Sequence, residues 1–418
     1  MVGTSSPDTP ILWSFADDTS AGATTHPKRY HWWDRTDIIW DVSWHDLLPY
    51  SWELPTITRR RISNRGDGVL HLEDRKLFSP VDLGDKRLYS TIAVRVMAIL
   101  TEFGMATTEQ VVQMCGLNVI AQRVSSALNN LWESGALLRL QVPTTKGGHS
   151  YVWMPNRRKD STRLPQWFSG ADPWQYQMVS GGLDPMDSHG YSVSKDSIRH
   201  NLATMDVMLR ALEVCPNVVG AWGERHGRAE QFSDQREFPT EAVRANIGDG
   251  VLVTKSGGII ILETTGAAHG SSVEAGNQAA EKAGAWVGVC GRSDLDVKVV
   301  FLDVAEKPTT KTLYKAVSLG VKKLSSKYVA RSSVIERGKK RIFVADSRTW
   351  FPLPGTISTT FADMSCINIG TNRMEPVVDD ESVDLAHPAV GTSVLSLHNP
   401  PWASNKASFD NVTWPPLS

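Results

Sequence analysis

The sequence has little cysteine, and its few cysteines are far apart. Cys115, Cys215, Cys290 and Cys366 include no Cys-x-x-Cys pair. Structural zinc sites use closely spaced cysteines and small secreted scaffolds use many, so both classes are excluded. We therefore expect a chain that works in a reducing compartment, which indicates a cytoplasmic protein.

The sequence also lacks a long apolar run. No segment approaches the roughly 18 to 20 apolar residues of a membrane span, and the N-terminus has no basic start followed by an apolar stretch. We expect a soluble protein with no membrane partner. Hydrophobic residues make up 41% and charged residues 21% of the 418 residues. Most of the chain should therefore fold, in roughly two to four domains.

A net charge of either sign is missing as well. Lys and Arg total 44, Asp and Glu total 45, and the formal net charge is −1. Proteins that coat nucleic acid indiscriminately carry a large basic excess, so this class is excluded. The charge is nevertheless uneven along the chain. Residues 311–341 contain ten Lys or Arg and one acidic residue, whereas residues 364–418 contain two basic and six acidic residues.

Residues 90–155 have the pattern of three helices followed by a β-hairpin. Apolar residues recur at helical spacing and stop near Gly104, and a capping box of Thr107 and Gln110 then opens a second helix. A third helix is predicted over about 119–133, and two strand-like segments flank a ThrThrLysGlyGly turn after it. This order is that of the winged helix, whose third helix enters the DNA major groove.

The predicted third helix has a polar outward face that suits duplex DNA. Small polar and basic side chains can reach base edges and phosphates. The candidates are Asn118, Gln122, Arg123, Ser126, Asn129 and Asn130, with Lys146 at the hairpin tip. The alternative is a winged helix used for protein contact, because residues 91–158 contain only six basic against three acidic residues, a local charge of +3.

The basic stretch 311–341 is a second candidate DNA contact. Its ten basic residues and single acidic residue, Glu336, give a local charge of +9. A helix face stabilised by ion pairs would carry acidic partners four residues away, and these are almost absent. We therefore expect phosphate binding. The predicted contacts are Lys322, Lys323, Lys327 and Arg331.

Residues 195–302 alternate between helical and strand patterns in the order α-β-β-β-α-β. Asp249 begins the second strand, and Glu263 lies near the end of the third, after the apolar run IleIleIleLeu. Two carboxylates that converge from neighbouring strands can hold Mg²⁺ or Mn²⁺, and the metal can activate water. The alternative is that Asp249 is a turn residue and Glu263 a buried carboxylate with a structural partner.

This order and these two carboxylates resemble the PD-(D/E)xK nuclease superfamily. The resemblance implies that Asp249 and Glu263 bind the metal and that a further acidic residue, before or just after the first strand, adds a ligand. The candidates for that ligand are Asp206, Glu213 and Glu224, and we select Glu224, which directly follows the strand.

Two positions depart from the pattern of the superfamily. Gly248 stands in place of the proline before the Asp. Thr265 stands in place of the lysine that orients or activates the attacking water. Lys282 on the following helix is our candidate to replace that lysine as a catalytic residue, and Lys255 in the hairpin turn is a weaker substitute.

The sequence also resembles the replication-relaxation family of actinobacterial plasmids and integrative elements. Three features carry this resemblance: the winged-helix pattern, the helix that contains RHNLATMDVMLRAL and the strand pair that ends in LETT. The resemblance spans roughly residues 90–305. It implies a DNA-binding protein of a plasmid or mobile element that is associated with plasmid replication and recognises duplex DNA through the winged helix. It leaves open whether the nuclease-like domain cuts or nicks the DNA with a divalent metal. One alternative is a non-catalytic replication initiator or regulator whose nuclease-like domain is a DNA clamp or dimerisation platform. Another is an adaptor that contacts only protein.

We expect an α+β multidomain chain in five parts. They are a Trp-rich N-terminal arm or subdomain (1–88), a winged-helix domain (89–156), a linker (157–196), a restriction-endonuclease-like α/β domain that includes the basic stretch (197–345), and an acidic segment with prolines and tryptophans (346–418). The expected partners are duplex DNA and a second copy of the chain. We expect a structural role for His200, as for most lone helical histidines.

Overall fold

The computed structural model describes residues 35–42, 52–53, 91–115, 121–133, 137–155, 195–215, 217–224, 227–229, 232, 247–254, 256–265, 272–305, 309–324 and 332–378. They form a mixed α/β structure with one four-stranded and one seven-stranded sheet. The predicted α+β class is therefore confirmed. Predictions that lie outside the described residues concern Asn118, Lys255, Lys327, Arg331, and the greater part of the linker and of the two terminal parts.

The first part of the described chain, which we call the helical unit, contains three helices and a four-stranded antiparallel sheet. Its helices are α1 (Thr91–Phe103), α2 (Thr108–Met114) and α3 (Ala121–Glu133). Its strands are β1 (Trp52–Glu53), β2 (Ala106–Thr107), β3 (Leu137–Pro143) and β4 (His149–Pro155), in the order β1-β3-β4-β2. Three helices are thus followed by a hairpin, and β1 extends the hairpin by pairing with β3.

Local sequence explains the start of α2 and the tip of the hairpin. The hydroxyl of Thr107 accepts a hydrogen bond from the N–H of Gln110 at 3.1 Å, and the Gln110 side chain accepts one from the N–H of Thr107 at 2.9 Å. This capping box satisfies N–H groups that the first turn of a helix leaves without partners. Gly147 and Gly148 turn the hairpin with φ of 80° and 92°, which glycine adopts without strain.

The rest of the described chain forms the sheet unit. Its strands are β5 (Val218–Gly223), β6 (Gly250–Thr254), β7 (Ile259–Thr265), β8 (Val297–Asp303), β9 (Ile342–Asp346), β10 (Cys366–Asn368) and β11 (Arg373–Glu375), in the order β11-β10-β9-β8-β7-β6-β5. Its helices are α4 (Lys195–Val214), α5 (Ser272–Arg292), α6 (Thr310–Leu319), α7 (Ser332–Lys339) and α8 (Ser347–Trp350), with a π-helix over Gly320–Leu324 and a 3₁₀ turn over Thr359–Phe361. β7, β8 and β9 are parallel, and the other neighbours are antiparallel.

Helices cover both faces of this sheet, as the apolar sequence of β7 requires. Alternate side chains of a strand point to opposite faces. Ile260 and Leu262 pack in a core with Leu202 of α4, whereas Ile261 packs in a second core with Trp286 of α5. A strand that is buried on both faces needs a continuous apolar run.

The helical unit and the sheet unit share one of these cores. The cluster around Leu202 continues to Val96 of α1 and Leu128 of α3. It also includes Ile38 from residues 35–42, which we call the N-terminal segment. The two units are therefore packed against each other across α4.

The N-terminal segment brings charged side chains into the contact between the two units. Arg35 forms a bidentate ion pair with Glu213, at N–O distances of 2.7 and 2.9 Å. Arg210 pairs with Asp37 at 3.0 Å and with Asp206 at 2.8 Å. Asp206 and Glu213, two of the acidic residues considered as extra metal ligands, thus belong to a buried ion-pair network.

Candidate functional site

Asp249 lies immediately before β6 and is held against β7. Its N–H donates to the carbonyl of Leu262 at 2.8 Å. Its Oδ2 accepts a hydrogen bond from the N–H of Thr264 at 2.6 Å, and its Oδ1 lies 3.1 Å from Nε2 of His200 on α4. Both oxygens of this carboxylate therefore have a donor from the chain.

Glu263 lies in β7, and its side chain is 1% exposed. Its Oε2 accepts a hydrogen bond from Nζ of Lys282 at 2.5 Å, and its Oε1 accepts one from Nε1 of Trp286 at 2.6 Å. The two donors are four residues apart on α5, so they lie on one face of that helix. These partners explain how a carboxylate is tolerated at the end of an apolar strand.

The structure thus brings the three predicted catalytic residues into one region, and we call Asp249, Glu263, His200, Lys282 and Trp286 the carboxylate cluster. Lys282 contacts Glu263 directly, and its charge also acts on Asp249. Sequence reasoning gave His200 only a structural role and did not consider Trp286. The spacing of four residues between Lys282 and Trp286 was a usable signal, whereas the contact of His200 depends on how α4 packs on the sheet.

Gly248 and Thr265, the two positions that differ from the sequence pattern of the nuclease superfamily, each have close contacts in the fold. A Cβ added to Gly248 would lie 2.2 Å from Cγ2 of Ile261, and the N–H of Gly248 donates to the carbonyl of Gly227 at 2.9 Å. Proline has a side chain and no N–H, so it does not fit here. Thr265 uses its hydroxyl in a hydrogen bond to the carbonyl of Leu302, at 3.3 Å.

Glu224, the predicted third metal ligand, lines a small pocket together with Asp249. Thr204 and Met208 of α4 and Phe103 of α1 also line it, so the pocket lies where the two units meet. Its volume is about 10 Å³, which is close to the space of one water molecule. Glu224 and Asp249 therefore face a common space that is small for a hydrated ion.

Burial and charge act in opposite directions on the cluster. Burial raises the pKa of Glu263 to about 7, although the Lys282 ammonium opposes the rise. Burial would also raise the pKa of Asp249, but the charges of His200 and Lys282 prevail and lower it. Burial would lower the pKa of Lys282 and that of His200, but the neighbouring carboxylates raise both pKa values. Each carboxylate is in direct contact with one basic group, Asp249 with His200 and Glu263 with Lys282.

This arrangement does not fit a bound Mg²⁺ or Mn²⁺. Such ions need several oxygen ligands that are free to coordinate, but all four oxygens of Asp249 and Glu263 accept hydrogen bonds or face a basic nitrogen. A cation would have to displace Lys282 and His200. Within the described ranges, no three His, Cys, Asp or Glu side chains are grouped closely enough to hold a metal ion. Metal binding by Asp249, Glu263 and Glu224 stays a prediction.

The face of α3 that was predicted to contact DNA is partly exposed. Gln122, Arg123 and Ser126 are exposed, whereas Asn130 is half-buried. The hydroxyl of Ser126 donates to the carbonyl of Gln122 at 2.9 Å, so it is directed along the helix. Gln122 and Arg123 are therefore the longer of the exposed side chains among the predicted contacts on this helix.

Asn129 has another role in this arrangement. Its Nδ2 donates to the carbonyl of Ser125 at 3.0 Å, and its Oδ1 accepts a hydrogen bond from Arg139 of β3 at 3.3 Å. The Arg139 guanidinium lies 3.6 Å from the centroid of the Trp132 ring. Asn129 therefore helps to hold the hairpin against α3, and a contact with DNA would require these hydrogen bonds to break.

The predicted basic contacts differ in the exposure of their side chains and in the groups of the chain that they contact. Lys146 at the hairpin tip is 73% exposed and lies 3.1 Å from Asp41 of the N-terminal segment. Lys322 and Lys323 are exposed on the π-helix. Arg341 of the same basic stretch donates to the carbonyls of Cys290, Ser293 and Leu295 at 2.8 to 3.4 Å, so it caps the end of α5. The side chains of Lys322 and Lys323 are therefore exposed, whereas Arg341 is directed into the fold.

Comparisons with protein families, with curated proteins and with solved structures found no match. In the part of the chain that the structure describes, no helix is both long enough and apolar enough to span a membrane. We therefore infer a function from the geometry of the helical unit, of the exposed Lys322 and Lys323, and of the carboxylate cluster.

Proposed function

We propose that this chain is a duplex-DNA-binding protein of a plasmid or mobile element, and that its helical unit is a winged helix that recognises DNA sequence. The observation that carries the proposal is α3, which presents Gln122 and Arg123 to solvent while it buries its other side. Glutamine and arginine are the side chains that form bidentate contacts with adenine and guanine in the major groove.

The size and anchoring of α3 suit this role. The helix has 13 residues, about 20 Å in length at 1.5 Å per residue, and a major groove about 12 Å wide admits one helix. Val124, Leu128 and Leu131 are 0% exposed on its inner side. A helix fixed by such a core keeps its recognition side chains in register with the bases.

The exposed lysines of the π-helix support a second contact with the DNA backbone. Lys322 and Lys323 lie at the end of α6, on which Lys311 and Lys315 are also exposed. Contacts with phosphates add affinity that falls with salt and carry no sequence information. In this proposal the sheet unit is a non-catalytic DNA clamp, and a second copy of the chain is the expected partner at a paired site.

The test begins with duplexes selected from a random library by repeated binding to the full-length chain. An enriched motif is expected, and fluorescence anisotropy then measures its affinity for variants. Gln122→Ala and Arg123→Ala should each weaken binding about tenfold, in line with one lost base contact. Gln278→Ala, an exposed glutamine on α5, is the matched control and should bind like the wild type. Failure to enrich a motif, or equal affinity in all four proteins, contradicts the proposal.

The competing candidate is cleavage of DNA with Mg²⁺ or Mn²⁺. The convergence of Asp249, Glu263 and Lys282 favours it, and the hydrogen bonds that engage all of the carboxylate oxygens oppose it. Supercoiled plasmid that carries the selected motif should stay supercoiled in the presence of either ion if the sheet unit is a clamp. Nicked or linear product that is lost with Glu263→Ala would establish the nuclease instead.

An adaptor that contacts only protein is distinguished by salt. Reversing charge at Lys322 and Lys323 should weaken binding to any duplex and lower the slope of affinity against salt. For an adaptor, neither the charge reversal nor the salt concentration should change the result of the DNA-binding assay.

A further inference from the structure

The carboxylate cluster contains its own basic groups. Four donors of the chain serve the four oxygens of Asp249 and Glu263, and two of these donors, the Thr264 N–H and the Trp286 indole N–H, are neutral. The other two are the ammonium of Lys282, at 2.5 Å, and the imidazole of His200, at 3.1 Å. The imidazole can donate through Nε2 in either charge state.

The two basic groups are positioned by different helices. His200 lies on α4, which packs in the core on one face of the sheet, and Lys282 lies on α5, which packs on the other face. The position of α5 is fixed by close contacts between backbones. A Cβ on Gly320 would lie 2.0 Å from the carbonyl oxygen of Ala280, so the backbone of the π-helix is in direct contact with the backbone of α5. The donors are therefore held at the carboxylates by the fold.

We propose that Lys282 and His200 occupy the place of a divalent cation, so that the carboxylate cluster is neutralised from within and binds no metal ion. Mg²⁺ loses its water reluctantly and needs carboxylate oxygens that are free to replace it. Here those oxygens are engaged, and the approaching ion would meet an ammonium group instead of open space. The cluster then stabilises the sheet unit. It keeps the element order and the two carboxylates of the nuclease pattern but holds no metal.

The test measures the binding of Mn²⁺ alone to the full-length chain. The electron paramagnetic resonance signal of free Mn²⁺ reports how much of the ion is bound. The wild type should leave that signal unchanged up to millimolar Mn²⁺. Lys282→Ala combined with His200→Ala frees the oxygens and should bind one Mn²⁺ at least about tenfold more tightly than the wild type. Adding Asp249→Asn to this double variant should abolish the gain. The variant Lys282→Arg with His200→Gln keeps a donor at each position and should behave like the wild type.

Two results overturn the inference. One is a single Mn²⁺ bound by the wild type and lost with Asp249→Asn, because the carboxylates would then hold a metal despite the basic groups. The other is a folded double alanine variant that binds no Mn²⁺, because Lys282 and His200 would then not be what excludes the ion. If that variant does not fold, Lys282→Met, which keeps the packing of the aliphatic stem, is combined with His200→Ala, titrated in its place and scored in the same way. The experiment contains no DNA, so its outcome is independent of the proposed DNA binding.

Discussion

Lys282 and Glu263 form an ion pair in which the glutamate side chain is buried and the lysine side chain is 35% exposed. A buried carboxylate that loses its partner keeps its desolvation cost, whereas a neutral amide of the same shape does not. We therefore expect Lys282→Met to lower the free energy of unfolding by about 1–2 kcal/mol, a value reduced because the lysine side chain is partly exposed. Glu263→Gln in the same chain should restore about half of the loss. Urea unfolding of the two single variants and the double variant measures this coupling, and strictly additive losses would contradict it.

His200 should make stability depend on pH. Burial opposes its protonation, but Asp249 prevails and raises the pKa of His200 above the usual 6.5. The protonated imidazole therefore contributes fully below about pH 6.5, and its contribution is lost as the pH rises through the higher pKa of the folded state. The difference in Tm between the wild type and His200→Asn should be larger at about pH 6 than at about pH 9. Thermal melting at both pH values measures it, and equal differences would contradict the ion pair.

At the scale of elements, α5 packs closely against a neighbouring helix through glycine. A Cβ on Gly291 would lie 2.1 Å from the carbonyl oxygen of Val334 in α7, whereas a Cβ on Gly276 of the same helix would meet its nearest atom, in Ala316, at 3.8 Å. We expect Gly291→Ala to destabilise the protein by about 1–3 kcal/mol because the two helices must move apart. Gly276→Ala should be neutral or stabilise it by about 0.5–1 kcal/mol. Urea unfolding measures the free energy of unfolding of both variants. Equal losses for Gly291→Ala and Gly276→Ala would contradict the prediction.

The elements that could be predicted are those with a strong local pattern. Helical spacing and the capping box of Thr107 predicted α1, α2 and the order up to the hairpin, and α3 begins at Ala121, close to the predicted start. Apolar runs predicted β7 and β8. The pairing of β1 with β3 and the addition of β10 and β11 to the sheet depend on contacts between distant parts of the chain, which no local pattern encodes.

The same distinction applies to the carboxylate cluster. Asp249 and Glu263 could be chosen because of their positions on strands, and Lys282 because it follows them on a helix. The contact of His200 with Asp249 could not be predicted, because it depends on the packing of α4 on the sheet. The burial of Glu263 beside a partner was one of the two interpretations of the sequence. The mutual pairing of acids and bases is therefore a tertiary property.

At the scale of the whole molecule, the N-terminal segment joins the helical unit to the sheet unit. Arg35 is 5% exposed, and it pairs with Glu213 of α4, while the neighbouring Thr36 donates to Glu109 of α2. Removing one partner of a buried ion pair leaves the other charge uncompensated. Arg35→Ala should lower the free energy of unfolding by about 3–5 kcal/mol. Lys146→Ala, which removes the exposed pair with Asp41, should change it by no more than about 0.5 kcal/mol.

Differential scanning calorimetry measures both variants and also reports whether the two units unfold together. Because the units share one core, we expect a single transition for the wild type. A loss for Arg35→Ala that is no larger than that for Lys146→Ala would contradict the role of the N-terminal segment.

The chain has almost no net charge, so the proposed binding to DNA must depend on a limited surface, and α3 is the proposed surface. The most direct test places a photo-crosslinking amino acid at position 122 of α3 or at position 278 of α5, with the selected duplex bound to the full-length chain. We predict a crosslink from position 122 to the bases of the motif and none from position 278. A duplex that is bound but crosslinks only from position 278, or from neither position, would contradict recognition by α3.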